Sequence, residues 1–557
     1  MMLLRTCLVF TIFVAATGVR AGTGAVAMPD GFSADAAEQV LLDGGNAVDA
    51  AIAATFVLAV TYPEAGNIGG GGFMTSFVDG EAAFLDFRER APIRAHRDMY
   101  LDEGGNFQQR LSLVGAKASG VPGTVKGMQE AHARYGSLPW ERLLEPAITL
   151  ADEGFVVPEV LAQMAAYKVA DDEGATNFAA YFGKMRAGQV FQQPELAATL
   201  RILAADPQDF YTGQPAQQLV AQMAASGGLI SMKDLAQYEA QWREPIRATW
   251  REYEIVSAPP PSSGGLALVQ LLKMRDFAGE HFSKRWHNDA GYVHLLAEIE
   301  KRVFADRAEY LGDPDFVDVP LASLLNDDYL RARAAGINPQ AISPITAVPA
   351  GLESSDTTHF SIRDGEGNAV ALTYTLNWEF GSGVVVVGAG YLLNNEMDDF
   401  SAKVGVKNGF GVIGNGRNAI EPGKRMLSSM TPTILLRDGE PALVVGTPGG
   451  STIFTSVFQV VLNLVAFDMP LQQAVDSLRF HHQLPDAGLI RHDQWDIPAS
   501  TKEGLEALGY QVEPNSWGNL GDIQAIAVSD GKVSAAADAR GRGVARLVLV
   551  PDRVQTD

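Results

Sequence analysis

Nine histidines occur in the chain, and their spacing argues against the hydrolytic chemistries that histidine usually serves. His96, His132, His281, His287, His294, His359, His481, His482 and His492 include no His-Glu-x-x-His helix signature. His481 and His482 are adjacent, and neighbours on a strand point to opposite faces, so no metal site is expected. There is no Gly-x-Ser-x-Gly elbow and no Gly-x-x-x-x-Gly-Lys-Ser/Thr phosphate loop. Gly69 to Gly72 follows a helical pattern instead of a strand, which argues against a nucleotide or nicotinamide cofactor. What remains is a hydroxyl nucleophile without a histidine partner. Thr357-Thr358-His359 opens a strand pattern just after the polar segment Glu353-Ser354-Ser355-Asp356. Cutting the Asp356–Thr357 bond would give Thr357 a free α-amine. Such an amine has a pKa of about 7.7–8.0, so much of it can accept a proton near neutrality. Lying beside its own hydroxyl, it can serve as the activating base. That chemistry needs no Cys, His, metal or cofactor. The pattern alone does not separate this nucleophile from ordinary β-branched strand residues.

A strand-end nucleophile must be held by a sheet, and the pattern supplies strands in the right places. Phe360 to Arg363 and Ala369 to Leu376 flank Asp364-Gly365-Glu366-Gly367 as a hairpin. Thr431 to Leu436 and Ala442 to Val445 flank Asp438-Gly439, and Phe73 to Val78 and Ala82 to Phe87 flank Asp79-Gly80. Helices are expected over Ser33 to Leu42, capped by Ser33, and over Ala47 to Val60, which is apolar almost all round and so buried. The span from about Val125 to Leu235 is mostly helical by pattern, clearest at Ala147–Ala151, Pro194–Ala204 and Ala216–Ala224. Further helices are expected at Leu266 onward, Gly291–Phe304, Thr455–Val465 and Leu471–Ser477. Strands followed by helices in this order suggest layers with the sheets inside. Val404 to Lys424 shows no period and reads as a long loop.

Composition narrows the setting. The 557 residues carry 66 acidic against 43 basic side chains, a formal charge of -23, which argues against nucleic-acid partners and basic membrane patches. Met1 to Ala21 reads as a cleaved signal peptide: Arg5, an apolar run from Cys7 to Ala16, and small residues Val19 and Ala21 before Gly22. The run is too short for a membrane anchor. Cys7 is the only cysteine, so the mature chain is expected to have no disulfide and no thiolate nucleophile. The expected destination is the periplasm or the exterior of a bacterial cell.

The segment Thr357-Thr358-His359-Phe360-Ser361 through Asp364-Gly365-Glu366-Gly367-Asn368 to Thr375-Leu376-Asn377 resembles the gamma-glutamyltransferase family of N-terminal nucleophile hydrolases. The resemblance extends to Gly66-Asn67-Ile68-Gly69-Gly70-Gly71-Gly72-Phe73-Met74, Asp86-Phe87-Arg88-Glu89, Val121-Pro122-Gly123 and Phe304-Ala305-Asp306-Arg307. It continues with Tyr310-Leu311-Gly312-Asp313-Pro314, Asn394-Asn395-Glu396-Met397-Asp398-Asp399-Phe400, Ser428-Ser429-Met430-Thr431-Pro432 and Pro448-Gly449-Gly450. These motifs stand in the family's order across nearly all of the chain.

The resemblance implies an α+β fold, a four-layer αββα sandwich built jointly by two autoprocessed subunits. Residues 1–21 would be the signal peptide, 22–356 the large subunit and 357–557 the small one, together forming one structural domain. Thr357 would cut its own bond to Asp356 and then attack a gamma-glutamyl amide such as glutathione. Water, an amino acid or a short peptide would resolve the acyl-enzyme. Arg88 would hold the donor carboxylate with Ser428 and Ser429, and Asp399 the ammonium with Asn377 and Glu396. Gly449 and Gly450 would face the oxyanion, and Thr375 would orient the nucleophile. Glu396 stands where other members have Gln. Phe410, in the loop matching the family's lid, stands where many bacterial members have Tyr; without a phenolic hydroxyl, relatively more hydrolysis than transfer is expected. Asp306 and Arg307 read as structural, and His359 as a scaffold hydrogen-bonder.

Two competing readings keep the same fold: a glutaryl or cephalosporin acylase, and an inactive secreted binding protein. Pairing of Arg88 with Asp399 argues against the acylase, since an acyl group lacking an α-amine has no use for the acid. Retention of Thr357 and both glycines argues against the inactive form.

Overall fold

The computed structural model describes residues 22–344, 356–403, 416–516 and 518–550. The expected signal peptide, the segment just before Asp356 and Phe410 lie outside the described residues.

Apolar alternation builds two stacked sheets. The first has seven strands in the order Val544–Val550, Gly22–Met28, Asp356–Arg363, Ala369–Asn377, Gly71–Val78, Glu81–Phe87 and Gln241–Arg243. The second has six, in the order Lys532–Ala537, Gln524–Ser529, Glu440–Gly446, Thr433–Arg437, Tyr253–Ser257 and Ile246–Trp250. Small residues line the interface between them: Ala25, Ala27, Ala369 and Ala371 meet Val256, Ile434, Val444 and Ile526. Short side chains there let the backbones approach, and Thr75 Oγ1 donates across to the Pro432 carbonyl at 2.8 Å. The strand that opens with Asp356 is thus central in its sheet and covered on both faces.

Helices cover the outer faces. The helix Ala47–Thr61 is buried along its whole length, as its all-round apolarity predicts, and packs with Gly31–Leu42 and Trp140–Glu153 over the first sheet. Gly264–Phe277, Ala290–Tyr310 and Ile453–Val465 cover the second. The result is helix, sheet, sheet, helix. One expectation fails locally. Asp30, not Ser33, caps the first helix, its carboxylate accepting from Ser33 N at 2.8 Å. Asp30 Oδ2 also takes the Thr61 hydroxyl at 2.6 Å, and this second partner, distant in sequence, favours the earlier cap.

Candidate active site

Thr357 sits at the point where its sheet becomes irregular. Thr358 pairs with Tyr374 and Asp356 with Asn377, so Thr375 and Leu376 together oppose the single residue Thr357. A bulge of this kind bends the strand and re-aims side chains, and such bulges gather beside active sites. Thr375 Oγ1 is tied into it, accepting from Asn377 N at 2.7 Å. Thr357 is buried to 8% exposure, yet it lines a cavity of about 390 Å³ together with Gly449.

The next residue but one is not a base. His359 is fully buried, with its ring nitrogens 2.8 Å from Thr373 Oγ1 and 3.1 Å from Ser361 Oγ. Burial pushes its pKa down to about 3, so the ring is neutral at physiological pH. It serves the scaffold, as the sequence suggests.

Gly449 and Gly450 follow the Glu440–Gly446 strand and lead into the helix Ile453–Val465. Their φ values of +131° and +55° belong to the region that disfavours side chains, so glycine is required to turn the chain there. The positive end of the following helix adds to the attraction for negative charge at this turn.

From the bulge the structure runs directly to Arg88. Asn377 Nδ2 donates to the Asn395 carbonyl at 3.0 Å, and Asn395 N donates to the Leu376 carbonyl at 3.0 Å. These bonds fix the short turn Glu396–Asp399 against the strand end. Within that turn Glu396 Oε1 accepts from Arg88 Nη1, and Asp399 Oδ2 accepts from Arg88 Nη2 at 2.5 Å. Arg88 itself is held rigidly at the end of its strand. Its amide donates to Asp86 Oδ1 at 3.0 Å, and its carbonyl accepts from the Tyr238 hydroxyl at 2.9 Å.

The electrostatics of this cluster are unusual. Arg88, Glu89, Glu396 and Asp399 are all buried, and Glu89 Oε2 lies 3.9 Å from Arg88 Nη1. Burial opposes the charge on Arg88, but Glu396, Asp399 and Glu89 outweigh it and raise its pKa above the ordinary value. Burial raises Glu396 well above the usual carboxylate range and Asp399 less far, and it pushes Glu89 up to about 8. The Glu396 carboxyl, kept protonated by burial, hydrogen-bonds to Asp399, and Glu396 Oε2 and Asp399 Oδ1 have no further donor among the described residues. A cation entering beside Arg88 would find both.

Ser428 and Ser429 lie just before the Thr433–Arg437 strand of the second sheet, bonded to Ser263 and Met430. The Ser428 carbonyl accepts from Ser263 N at 2.7 Å, and Ser263 Oγ lies 3.4 Å from Ser429 Oγ. Arg307, read from the sequence as structural, reaches these serines. Its Nε donates to Ser263 Oγ at 3.0 Å, and its charge acts on Asp399. Burial lowers its pKa to about 9, while Asp399 counters that effect. Asp306 is structural, accepting from Gln270, Tyr329 and Arg333. Glu89 carries no role in the sequence reading, although its place beside Arg88 is the available signal. Ser263 was hidden in a proline- and serine-rich segment that reads as a turn.

A family model, gamma-glutamyltranspeptidase, matches residues 33–548. The chain belongs to the gamma-glutamyltranspeptidase family. Its chemistry is gamma-glutamyl transfer and hydrolysis. A glutathione hydrolase proenzyme of Pseudomonas aeruginosa is 57% identical over 527 residues, covering 94% of each chain. The gamma-glutamyltranspeptidase of Pseudomonas nitroreducens is 54% identical and superposes with a TM-score of 0.57, over 58% of this chain and 96% of its own. The cephalosporin acylase of Bacillus halodurans is 27% identical, with a TM-score of 0.83 over 97% of this chain and 99% of its own. The α+β architecture of this gamma-glutamyltranspeptidase family member is accordingly that of the N-terminal nucleophile hydrolases.

Proposed function

We propose that Thr357 is both the processing residue and the catalyst of a glutathione-type gamma-glutamyl hydrolase and transferase. The observation that carries the reading is the continuous path from the bulge at Thr357, through Asn377 and Asn395, to the Arg88–Glu396–Asp399 cluster. In the precursor, Thr357 Oγ attacks the Asp356 carbonyl; the amide C–N bond breaks and water cleaves the resulting ester. This leaves chains 22–356 and 357–557, with a new α-amine on Thr357. Two facts support processing: the Pseudomonas aeruginosa relative is a proenzyme, and the solved Pseudomonas nitroreducens chain matches over 96% of its length while covering only 58% of this one.

In the mature enzyme the α-amine takes the Thr357 hydroxyl proton as Oγ attacks the gamma-glutamyl carbonyl. The amides of Gly449 and Gly450 stabilise the oxyanion, each such donor contributing roughly 2.7–4 kcal/mol to the transition state. Thr375 orients the nucleophile from across the bulge. Arg88 binds the donor α-carboxylate with Ser428 and Ser429, a planar fork suited to a carboxylate. Asp399 takes the α-ammonium with Glu396 and Asn377. The amine leaves carrying the proton, and water, an amino acid or a short peptide releases the acyl group. Two subunits from one precursor, exported by cleavage after Ala21 to the periplasm or beyond, complete the reading. Among the described residues no helix is long and apolar enough to cross a membrane.

The likeness to a cephalosporin acylase favours a second reading, in which the acyl group is a glutaryl or related diacid. Arg88 serves either acyl group, but the paired acids Asp399 and Glu396 beside it, sharing a hydrogen bond and no other donor, suit one bearing an ammonium. Purified protein should run as bands of about 36 and 21 kDa, scaled from chain length. The small chain should begin at Thr357, and Thr357→Ala should leave one inactive band. An active enzyme with no chain beginning at Thr357 would overturn the mechanism.

A further inference from the structure

The cavity against Thr357 has a charged wall that the donor does not use. Besides Thr357 and Gly449 it is lined by Tyr62, Glu64, Asp522 and Arg542, while Arg88 and Asp399 are not among its lining residues. Arg542 Nη2 lies 2.6 Å from Glu64 Oε1, and its guanidinium carbon stands 4.0 Å from the Tyr62 ring centroid. The stacking and the ion pair fix the plane of the fork. Its Nε is buried and donates to no acceptor among the described residues. The Arg542 side chain nonetheless retains 18% exposure, so it is reachable from the cavity.

Glu379 also lines the cavity, its carboxyl raised above the usual range by burial, and the remaining charges on this wall are committed. Arg540 is consumed by Asp493 and Asp538, with contacts of 2.6 and 2.9 Å. Asp522 is half-buried and accepts from Gln524 Nε2 at 3.0 Å; loss of water around it pushes its pKa up to about 8, so it is largely neutral near pH 7. Arg542 is therefore the cation on this wall with donors to spare. Arginine stays charged throughout the working pH range, and its five donors can hold Glu64 and a ligand carboxylate at once.

We infer that this cavity is the subsite for the amine partner of the reaction, and that Arg542 selects amines carrying a free carboxylate, an α-amino acid or a short peptide. The inference rests on the reading of Thr357 as the acylated nucleophile. The cavity volume of about 390 Å³ is within the range of small-molecule sites. With the carboxylate on Arg542, the acceptor nitrogen is tethered in the same cavity as the acyl carbon on Thr357. Its N–C bond forms, the C–Oγ bond breaks, and the amine proton passes through the Thr357 α-amine to Oγ. Glu64 holds the fork in place and weakens its grip on the incoming anion, so product can leave.

The test compares glycylglycine with glycylglycinamide as acceptors, using a gamma-glutamyl p-nitroanilide donor and correcting for the free-amine fraction of each. In the wild-type enzyme kcat/KM for the acid should exceed that for the amide at least tenfold. Arg542→Gln should bring the ratio near one, and Arg542→Lys should restore part of it. Should Arg542→Gln fail to mature, Glu64→Gln is read instead: it should lower KM for glycylglycine and leave that for the amide in place. A wild-type ratio near one, a ratio unmoved by Arg542→Gln, or equal changes for both acceptors in Glu64→Gln would overturn the inference. Absence of any anilide turnover by the wild type would overturn the reading of Thr357 instead, so the two failures are distinguishable.

Discussion

Asp399→Asn separates a gamma-glutamyl site from a glutaryl one. Asp399 Oδ2 accepts from Arg88 at 2.5 Å, and beyond the hydrogen bond from the Glu396 carboxyl its buried side chain has no further donor among the described residues. An amide at this position can still accept from Arg88 through its oxygen, so the donor carboxylate keeps its partner. It cannot offer a negative charge to an ammonium. Removing one partner of a buried ion pair costs about 3–5 kcal/mol. At about 1.4 kcal/mol per decade, kcat/KM for a gamma-glutamyl anilide should fall roughly 140- to 3,700-fold. A glutaryl anilide has the carboxylate and no ammonium, so its kcat/KM should change less than about tenfold, the residue of disturbed Arg88 geometry. The assay is release of the chromogenic aniline from both substrates by the same preparation, after a denaturing gel has shown processing. Selectivity for gamma-glutamyl over glutaryl should collapse. Equal losses on both substrates would mean that Asp399 only holds Arg88, and the assignment of the ammonium site would fall.

Other outcomes follow from the same geometry. In Gly446→Ala the new Cβ would stand 2.3 Å from the His359 ring, so the ring or the strand must shift. Overpacking of this kind costs about 1–3 kcal/mol, measurable as a lowered urea midpoint at unchanged m. The His359 ring titrates near pH 3 in the fold against an ordinary 6.5. The unfolded chain therefore binds the proton more readily, and the stability this group contributes is present above pH 6.5 and lost as pH falls toward 3. The slope is about 1.4 kcal/mol per pH unit, and His359→Gln should remove it from the pH dependence of the urea midpoint between pH 6 and 4.

How much of this was legible in the sequence depends on the distance over which each feature is determined. The hairpin carrying Thr357 reads from local alternation and from the Asp364–Gly367 turn, and it folds where expected. The fully buried helix Ala47–Thr61 likewise declares itself through the absence of any polar face. The bulge opposite Thr357 does not. It arises where Asn377 and Trp378 are drawn away to Asn395, bonds that span 17 or 18 residues and leave no periodic trace. The same limit explains Asp30, chosen as a cap over Ser33 by its bond to Thr61, and Arg307, whose Ser263 partner lies 44 residues earlier. Spacing can tell which residue types are present, and family resemblance can tell which of them act. Only the tertiary bonds say that Arg88 faces three carboxylates, one more than a donor ammonium and a structural partner require. With Glu89 pushed up to about 8 by burial, the cluster retains protons and so reduces its negative charge. If Asp399 and Glu396 hold the donor ammonium as proposed, that ammonium would take the place of such a proton, a use for the buried acids that a neutral or purely anionic acyl group could not match.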